Sequence, residues 1–116
     1  MKKVIRGIEE LKKAKDEEGV NNRQGLPQEL FAFATTLIPC PNIDLIITDD
    51  KHRLLLSWRN DEFYGAGWHI PGGCLTIKET LGARIQKTAE DEIGSAVIYD
   101  KKNFVTREVM SPEYRS

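Results

Sequence analysis

The sequence predicts a mixed domain of the α/β or α+β class, and three observations carry that reading. Residues 2–16 and 79–93 place apolar side chains at helical spacing. Residues 42–48 and 53–59 are short, apolar runs rich in branched side chains, split by the turn-forming Asp49-Asp50-Lys51. A length of 116 residues is room for one domain with a small core.

Each element follows from local chemistry. In 2–16, Val4, Ile5, Ile8, Leu11 and Lys12 keep the helical repeat and charges fill the remaining positions. Gly19 to Gly25, with Asn21 and Asn22 between, breaks that helix and reads as a linker. Pro27 occupies a first-turn position for a second short helix running to about Thr36, which Pro39 and Pro41 stop. Asn42 to Thr48 reads as a buried strand and Arg53 to Arg59 as its return, making 42–59 a β-hairpin. Residues 60–67 read as a loop, and Trp68 to Pro71 as a short strand entering Gly72-Gly73. Glu79 to Ile93 reads as a helix closed by Gly94. Residues 95–100 and 104–110 are two further strand candidates.

Composition narrows the function classes. Seventeen basic against eighteen acidic residues leave a net charge of −1, so no broad field draws the chain to nucleic acid or an anionic membrane. Apolar runs such as Phe31 to Ala34 are too short to span a bilayer, and the N-terminal residues carry no signal-peptide core. The expected location is cytoplasmic. Cys40 and Cys74 stand 34 residues apart in no metal-ligand spacing and are expected to be free thiols in a reducing compartment.

One segment carries chemistry: Gly72-Gly73, five residues, Glu79, seven residues, then Lys87-Thr88-Ala89-Glu90-Asp91-Glu92-Ile93-Gly94. At about 100° per residue, Leu81, Ile85, Ala89 and Ile93 share one face, and Glu92 falls inside that stripe. A carboxylate there needs compensation, from a divalent cation or from an Arg or Lys partner. Asp91 reaches the same place from the side. Hard oxygen ligands suit Mg²⁺ or Mn²⁺, which stay hydrated and bridge to phosphates. Gly72-Gly73 lets backbone approach a ligand, with a carbonyl as a further metal ligand. The competing reading is a helix with a solvated acidic end.

The segment resembles the Nudix box. Gly73, Glu79, Glu92 and Gly94 match at the required spacing, and Trp68-His69-Ile70-Pro71-Gly72-Gly73 looks like the family's approach to it. Lys87 stands where Arg is usual, Asp91 replaces the first Glu of the closing pair, and Thr88 replaces the Glu after the Arg. The thinned box resembles the GDP-mannose mannosyl hydrolase branch. Pro27-Gln28-Glu29-Leu30-Phe31, Asn42-Ile43-Asp44-Leu45 and Leu54-Leu55-Leu56-Ser57-Trp58-Arg59 resemble that branch outside the box, so the likeness covers about residues 27–110.

The resemblance implies a Nudix-type α/β/α sandwich with a mixed sheet over 25–116, after an N-terminal helix and linker over 1–24. It implies hydrolysis of a nucleotide sugar such as GDP-mannose, supported by Mg²⁺ (or Mn²⁺), with water attacking the anomeric carbon and the nucleoside diphosphate leaving. Glu92 and the Gly72 carbonyl would bind the metal, with Asp91 as a secondary ligand. Arg59 would contact the diphosphate, Gly73 would lie against the substrate, and Asp44 would orient Arg59 or the nucleotide. From the residues alone, Asp44 and Arg59 could equally be a plain ion pair. The branch's second phosphate-binding Arg is Cys74 here. Glu79 reads as structural, His69 as a hydrogen-bonded strand residue and His52 as a surface residue.

Nudix domains usually continue beyond 130 residues, and in this branch the general base is a His in that later part. The chain is therefore expected to be C-terminally truncated, with an uncovered sheet edge that favours a homodimer. Two other functions stay open: a generic Nudix pyrophosphohydrolase, disfavoured by Thr88, and a catalytically inactive nucleotide-binding or oligomeric remnant.

Overall fold

The computed structural model describes residues 1–20, 26–61 and 65–108. Along them run α1 (Lys2–Glu17), α2 (Gln28–Ala34), β1 (Asn42–Asp44), β2 (Ser57–Asp61), β3 (Gly65–His69), β4 (Gly72–Cys74) and α3 (Leu81–Ile93). Helices and small antiparallel sheets occur together, as a mixed α/β class requires. The expected single mixed sheet is not what the described strands form. They make two separate two-stranded antiparallel sheets, β1 with β4 and β2 with β3.

The predicted hairpin over 42–59 is corrected in its pairing. The chain does reverse at 49–52, and Thr48 bridges Leu54 there. Asp49 organises the turn by accepting from the amides of Lys51 and Arg53 and from Arg53 Nε at 2.6 Å. The Arg53 amide and then its guanidinium hold the Asp49 carboxyl below the usual carboxylate range. Beyond that turn the strands part. β1 pairs with β4 in the register Asn42 to Cys74, Ile43 to Gly73 and Asp44 to Gly72. β2 starts four residues later than predicted and pairs with β3, so residues 60–61 and 65–67 of the predicted loop are in strands. Trp58 and Trp68 sit opposite each other in that pair, edge to face, with ring centroids 5.3 Å apart.

The core is formed by Leu45, Ile85 and Ala89, with Ile43, Ile47, Ile93, Val97 and Tyr99 packed around them. It lies where α3 rests on one face of β1 and β4. The strand alternation decides which residues point there. Ile43 and Gly73 face α3, while Asn42 and Asp44 lie on the exposed face. Ile85 is 3% exposed, so Ile85→Ala is expected to cost about 2–4 kcal/mol, a large share of so small a core. Ile46, 75% exposed, is the control: Ile46→Ala is expected to leave the urea midpoint within error.

Helix α3 keeps its predicted C-terminal stop. Gly94 takes the left-handed conformation at φ 68° that glycine adopts without strain. At the other end Thr80 is the cap, accepting from the Ala83 amide at 3.1 Å. The predicted strand over 95–100 does not form. The Gln86 side chain donates to the Val97 carbonyl at 2.9 Å and accepts from the Val97 amide at 3.1 Å, occupying the groups a neighbouring strand would use. Residues 104–108 are likewise irregular, and 109–110 of that predicted strand lie outside the described residues, as do 21–25 of the linker.

The two cysteines are corrected as well. Cys40 and Cys74 are joined in a disulfide, their Cα atoms 6.6 Å apart, rather than being free thiols. The register explains the encounter: Cys74 ends β4 opposite Asn42, and Cys40 lies two residues before it. Among the described residues, no helix is long and apolar enough to cross a membrane.

Candidate functional site

The double glycine lies within β4 rather than in a turn, and its two positions have different neighbours. In the antiparallel ladder Leu45 N donates to Pro71 O at 2.8 Å and Leu75 N to Pro41 O at 3.0 Å. Alternation makes Ile43–Gly73 a hydrogen-bonded pair and Asp44–Gly72 a non-hydrogen-bonded one. The Gly72 carbonyl therefore turns away from β1, toward the opposite edge of β4.

At either position an added Cβ would force a neighbour to shift. A Cβ on Gly72 would collide with Asp44 Oδ1 and stand 3.1 Å from the Ile43 carbonyl oxygen. A Cβ on Gly73 would stand 2.9 Å from Thr88 Oγ1 and 3.2 Å from Arg84 Nη1. Position 72 thus brings Asp44 against the backbone of β4, and position 73 lets α3 close onto the sheet.

Asp44 accepts a hydrogen bond from Asn42 Nδ2 at 2.9 Å, on the exposed face of β1. The fold brings Asp44 to Gly72. It places α3 on the other side of the same strands, with Thr88 and Arg84 against Gly73. Arg59 lies on β2, opposite Gly67 of β3, in the second sheet. Asp91 and Glu92 are in the last turn of α3, both exposed.

That exposure corrects the burial argument for Glu92. The buried residues of α3 are Arg84, Ile85, Thr88 and Ala89. Glu92 continues the same sector one turn further on, past the last buried residue of the helix. In water its charge needs no compensator, so the case for a metal rests on donor chemistry and spacing rather than on desolvation.

The loop between β4 and α3 is held by a pair that the sequence reading missed. Arg84 donates to Glu79 through Nε at 2.7 Å and through Nη2 at 3.1 Å, and both side chains are about nine-tenths buried. Glu79 also accepts from the Thr76 amide at 3.2 Å. The Arg84 guanidinium, more than any other neighbour, holds the Glu79 carboxyl below its ordinary range. Glu79 is structural, as expected, but as the partner of a buried arginine five residues ahead rather than through the helix dipole. Arg84 in the covered sector of the helix was the available signal, since a buried guanidinium must meet an acid.

Thr88, 2% exposed, packs its hydroxyl against Gly73, and that oxygen has no hydrogen-bond partner among the described residues. His69 is a half-buried strand residue whose carbonyl accepts from Ser57 Oγ at 3.3 Å, and His52 is exposed in the turn at φ 61°.

Among the described residues, no three or more His, Cys, Asp or Glu side chains gather into a metal cage. Gly72, Asp91 and Glu92, the donors expected to hold a metal, carry hard oxygens of the chemical type that suits Mg²⁺.

No family model matches the chain. Among curated proteins, it is similar to the low-salt glycan biosynthesis protein Agl8 of Haloferax volcanii, at 26% identity over 77 residues. The likeness takes in 66% of this chain and 49% of that protein, so the chain spans about half the length of this curated relative.

Proposed function

We propose that the chain takes part in Mg²⁺-dependent hydrolysis of a nucleotide sugar, releasing free sugar and a nucleoside diphosphate, as a Nudix-type domain of the GDP-mannose mannosyl hydrolase kind. The observation that carries the reading is the strand, loop and helix built from Gly72 to Gly94. Its first glycine offers an outward carbonyl, Glu79 pins its loop, and Glu92 ends its helix in solvent. The similarity to a protein named for glycan biosynthesis supports an activated sugar as the substrate class.

In this reading Gly72 and Glu92 bind Mg²⁺, and Asp91 is a secondary ligand. When bound, the ion supplies charge stabilisation for the leaving diphosphate. Gly73, whose Cα face is taken by α3, would offer the diphosphate only its backbone. Arg59 grips a phosphate, and Asp44, set beside Gly72, orients the nucleotide. Water adds to the anomeric carbon, the C–O bond to the diphosphate breaks with its electron pair leaving on the diphosphate, and a general base takes the water's proton.

Thr88 favours sugar release over pyrophosphate cleavage. A buried hydroxyl packed on Gly73 replaces the carboxylate that a multi-metal pyrophosphohydrolase needs there. Incubation of GDP-mannose and GDP-glucose with the chain and Mg²⁺, followed by ³¹P NMR, is expected to show GDP without GMP. GMP with sugar phosphate would make the chain a pyrophosphohydrolase. No turnover, with a Mg²⁺-dependent rise in melting temperature retained, would make it a binding remnant.

A further inference from the structure

The Cys40–Cys74 bond sits at one end of the β1–β4 ladder. The residues next in the chain, Pro41 and Leu75, make the hydrogen bond at that end, with Leu75 N donating to Pro41 O at 3.0 Å. At the other end Leu45 N donates to Pro71 O at 2.8 Å. Three residue pairs lie between them, and so short a ladder has little stability of its own. The Leu45 end is anchored in the core. At the cysteine end Pro41 and Asn42 are exposed, and Cys40, Cys74 and Leu75 are half-buried. The cross-link therefore closes the end of the ladder that the core does not hold.

That end is also within reach of a reagent from solvent. Cys40 lies outside any helix or strand, between the exposed Pro39 and Pro41. Neither proline has an amide hydrogen to pair with a neighbour. What the segment 39–41 brings to β4 is one carbonyl and one sulfur. Accessible disulfides exchange with external thiols more readily than enclosed ones.

We propose that the Cys40–Cys74 bond is a reversible thiol–disulfide switch, opened by a dithiol reductant, that clamps the Pro41–Leu75 end of the ladder. A thiolate of the dithiol attacks the Cys40 sulfur. The S–S bond breaks, and Cys74 leaves with the electron pair and takes up a proton. The second thiol of the reductant then attacks the mixed disulfide, which frees Cys40 and closes the reductant's own disulfide. Two electrons and two protons pass to the protein, and a small-molecule disulfide returns them. Strand alternation puts Cys74 on the same face as Gly72, Asn42 and Asp44. The face that the switch governs is thus the one on which Asp44 meets Gly72. The proposal is independent of the catalytic reading, because thiols and backbone amides report it directly.

The full chain is first oxidised with glutathione disulfide, unfolded in guanidinium and titrated for thiols; none is expected. The folded, oxidised chain given millimolar dithiothreitol without denaturant is expected to gain two thiols within minutes. Amide hydrogen exchange, read by NMR, is expected to speed up at Leu75 by about thirtyfold or more on reduction. Leu45 and the amides of α3 should change far less, and the far-UV circular dichroism should stay. Glutathione disulfide should restore the slow exchange. The double variant Cys40→Ser, Cys74→Ser should exchange as the reduced chain does and ignore dithiothreitol. The reduced wild-type chain carries the same measurement if that variant does not fold. Free thiols in the oxidised chain overturn the proposal. So does a bond that opens only in denaturant, which would make it a fixed staple, or a Leu75 amide as slow after reduction as before. Loss of the helical signal on reduction also overturns it, since the bond would then hold the whole fold rather than one end of a ladder.

Discussion

Glu92→Gln is expected to lower Mg²⁺-dependent turnover of GDP-mannose by about a hundredfold or more, with the melting temperature unchanged. The two halves of that expectation have separate causes. Glu92 is exposed in the last turn of α3, beyond the helix's buried residues, so the substitution removes no packing and strands no partner among the described residues. An amide keeps the shape of the carboxylate but loses its charge, and a largely hydrated Mg²⁺ held by one or two carboxylates depends on that charge. Outer-shell changes around metals already cost about 10–100-fold, so loss of a direct ligand costs at least as much. Asp91→Asn is expected to have the smaller effect. Titration with Mn²⁺, read by its paramagnetic resonance, should follow the same order without relying on activity. Equal turnover in Glu92→Gln and wild type would remove Glu92 from the site.

The second large effect concerns stability. Glu79→Ala is expected to destabilise the fold by about 3–5 kcal/mol, because it leaves the guanidinium of Arg84, 7% exposed, without its acid inside the protein. Glu79→Gln keeps an acceptor for the guanidinium and should fall between Ala and wild type. The pair also sets an acid limit. Its carboxyl titrates below the ordinary glutamate range in the folded chain, chiefly through the Arg84 hydrogen bonds. The stabilisation is therefore complete above the unfolded pKa of about 4.3 and is lost as pH falls through the lower folded value. Urea midpoints between about pH 3 and 6 should fall more steeply toward acid in wild type than in Glu79→Gln. Parallel curves would show that the pair contributes nothing to the acid transition.

Much of the local structure was legible in the sequence. The two long helices follow from apolar periodicity, and Gly94 ends α3 where glycine was expected to end it. The reversal at 49–52 follows from its acidic turn residues, whereas Asn42 and Asp44 turn out exposed on a strand that the sequence reads as buried. The helices and the reversal are properties of neighbours in the chain, so short-range chemistry determines them.

What only the tertiary structure decided is who meets whom. Local pattern could mark 42–48 as a strand but could not choose its partner, and β1 pairs with β4 rather than with the strand next in sequence. That choice brings Cys40 to Cys74 and Asp44 to Gly72, and it sends Arg59 to the other sheet. Glu92 shows the same limit on a helix. Its angle places it in the apolar sector, yet burial also requires something on top, and the buried part of α3 ends at Thr88 and Ala89. Arg84, a cation by composition, is buried because Glu79 waits beneath it. Periodicity sets the direction of a side chain; the neighbouring element, placed by long-range pairing, sets its environment.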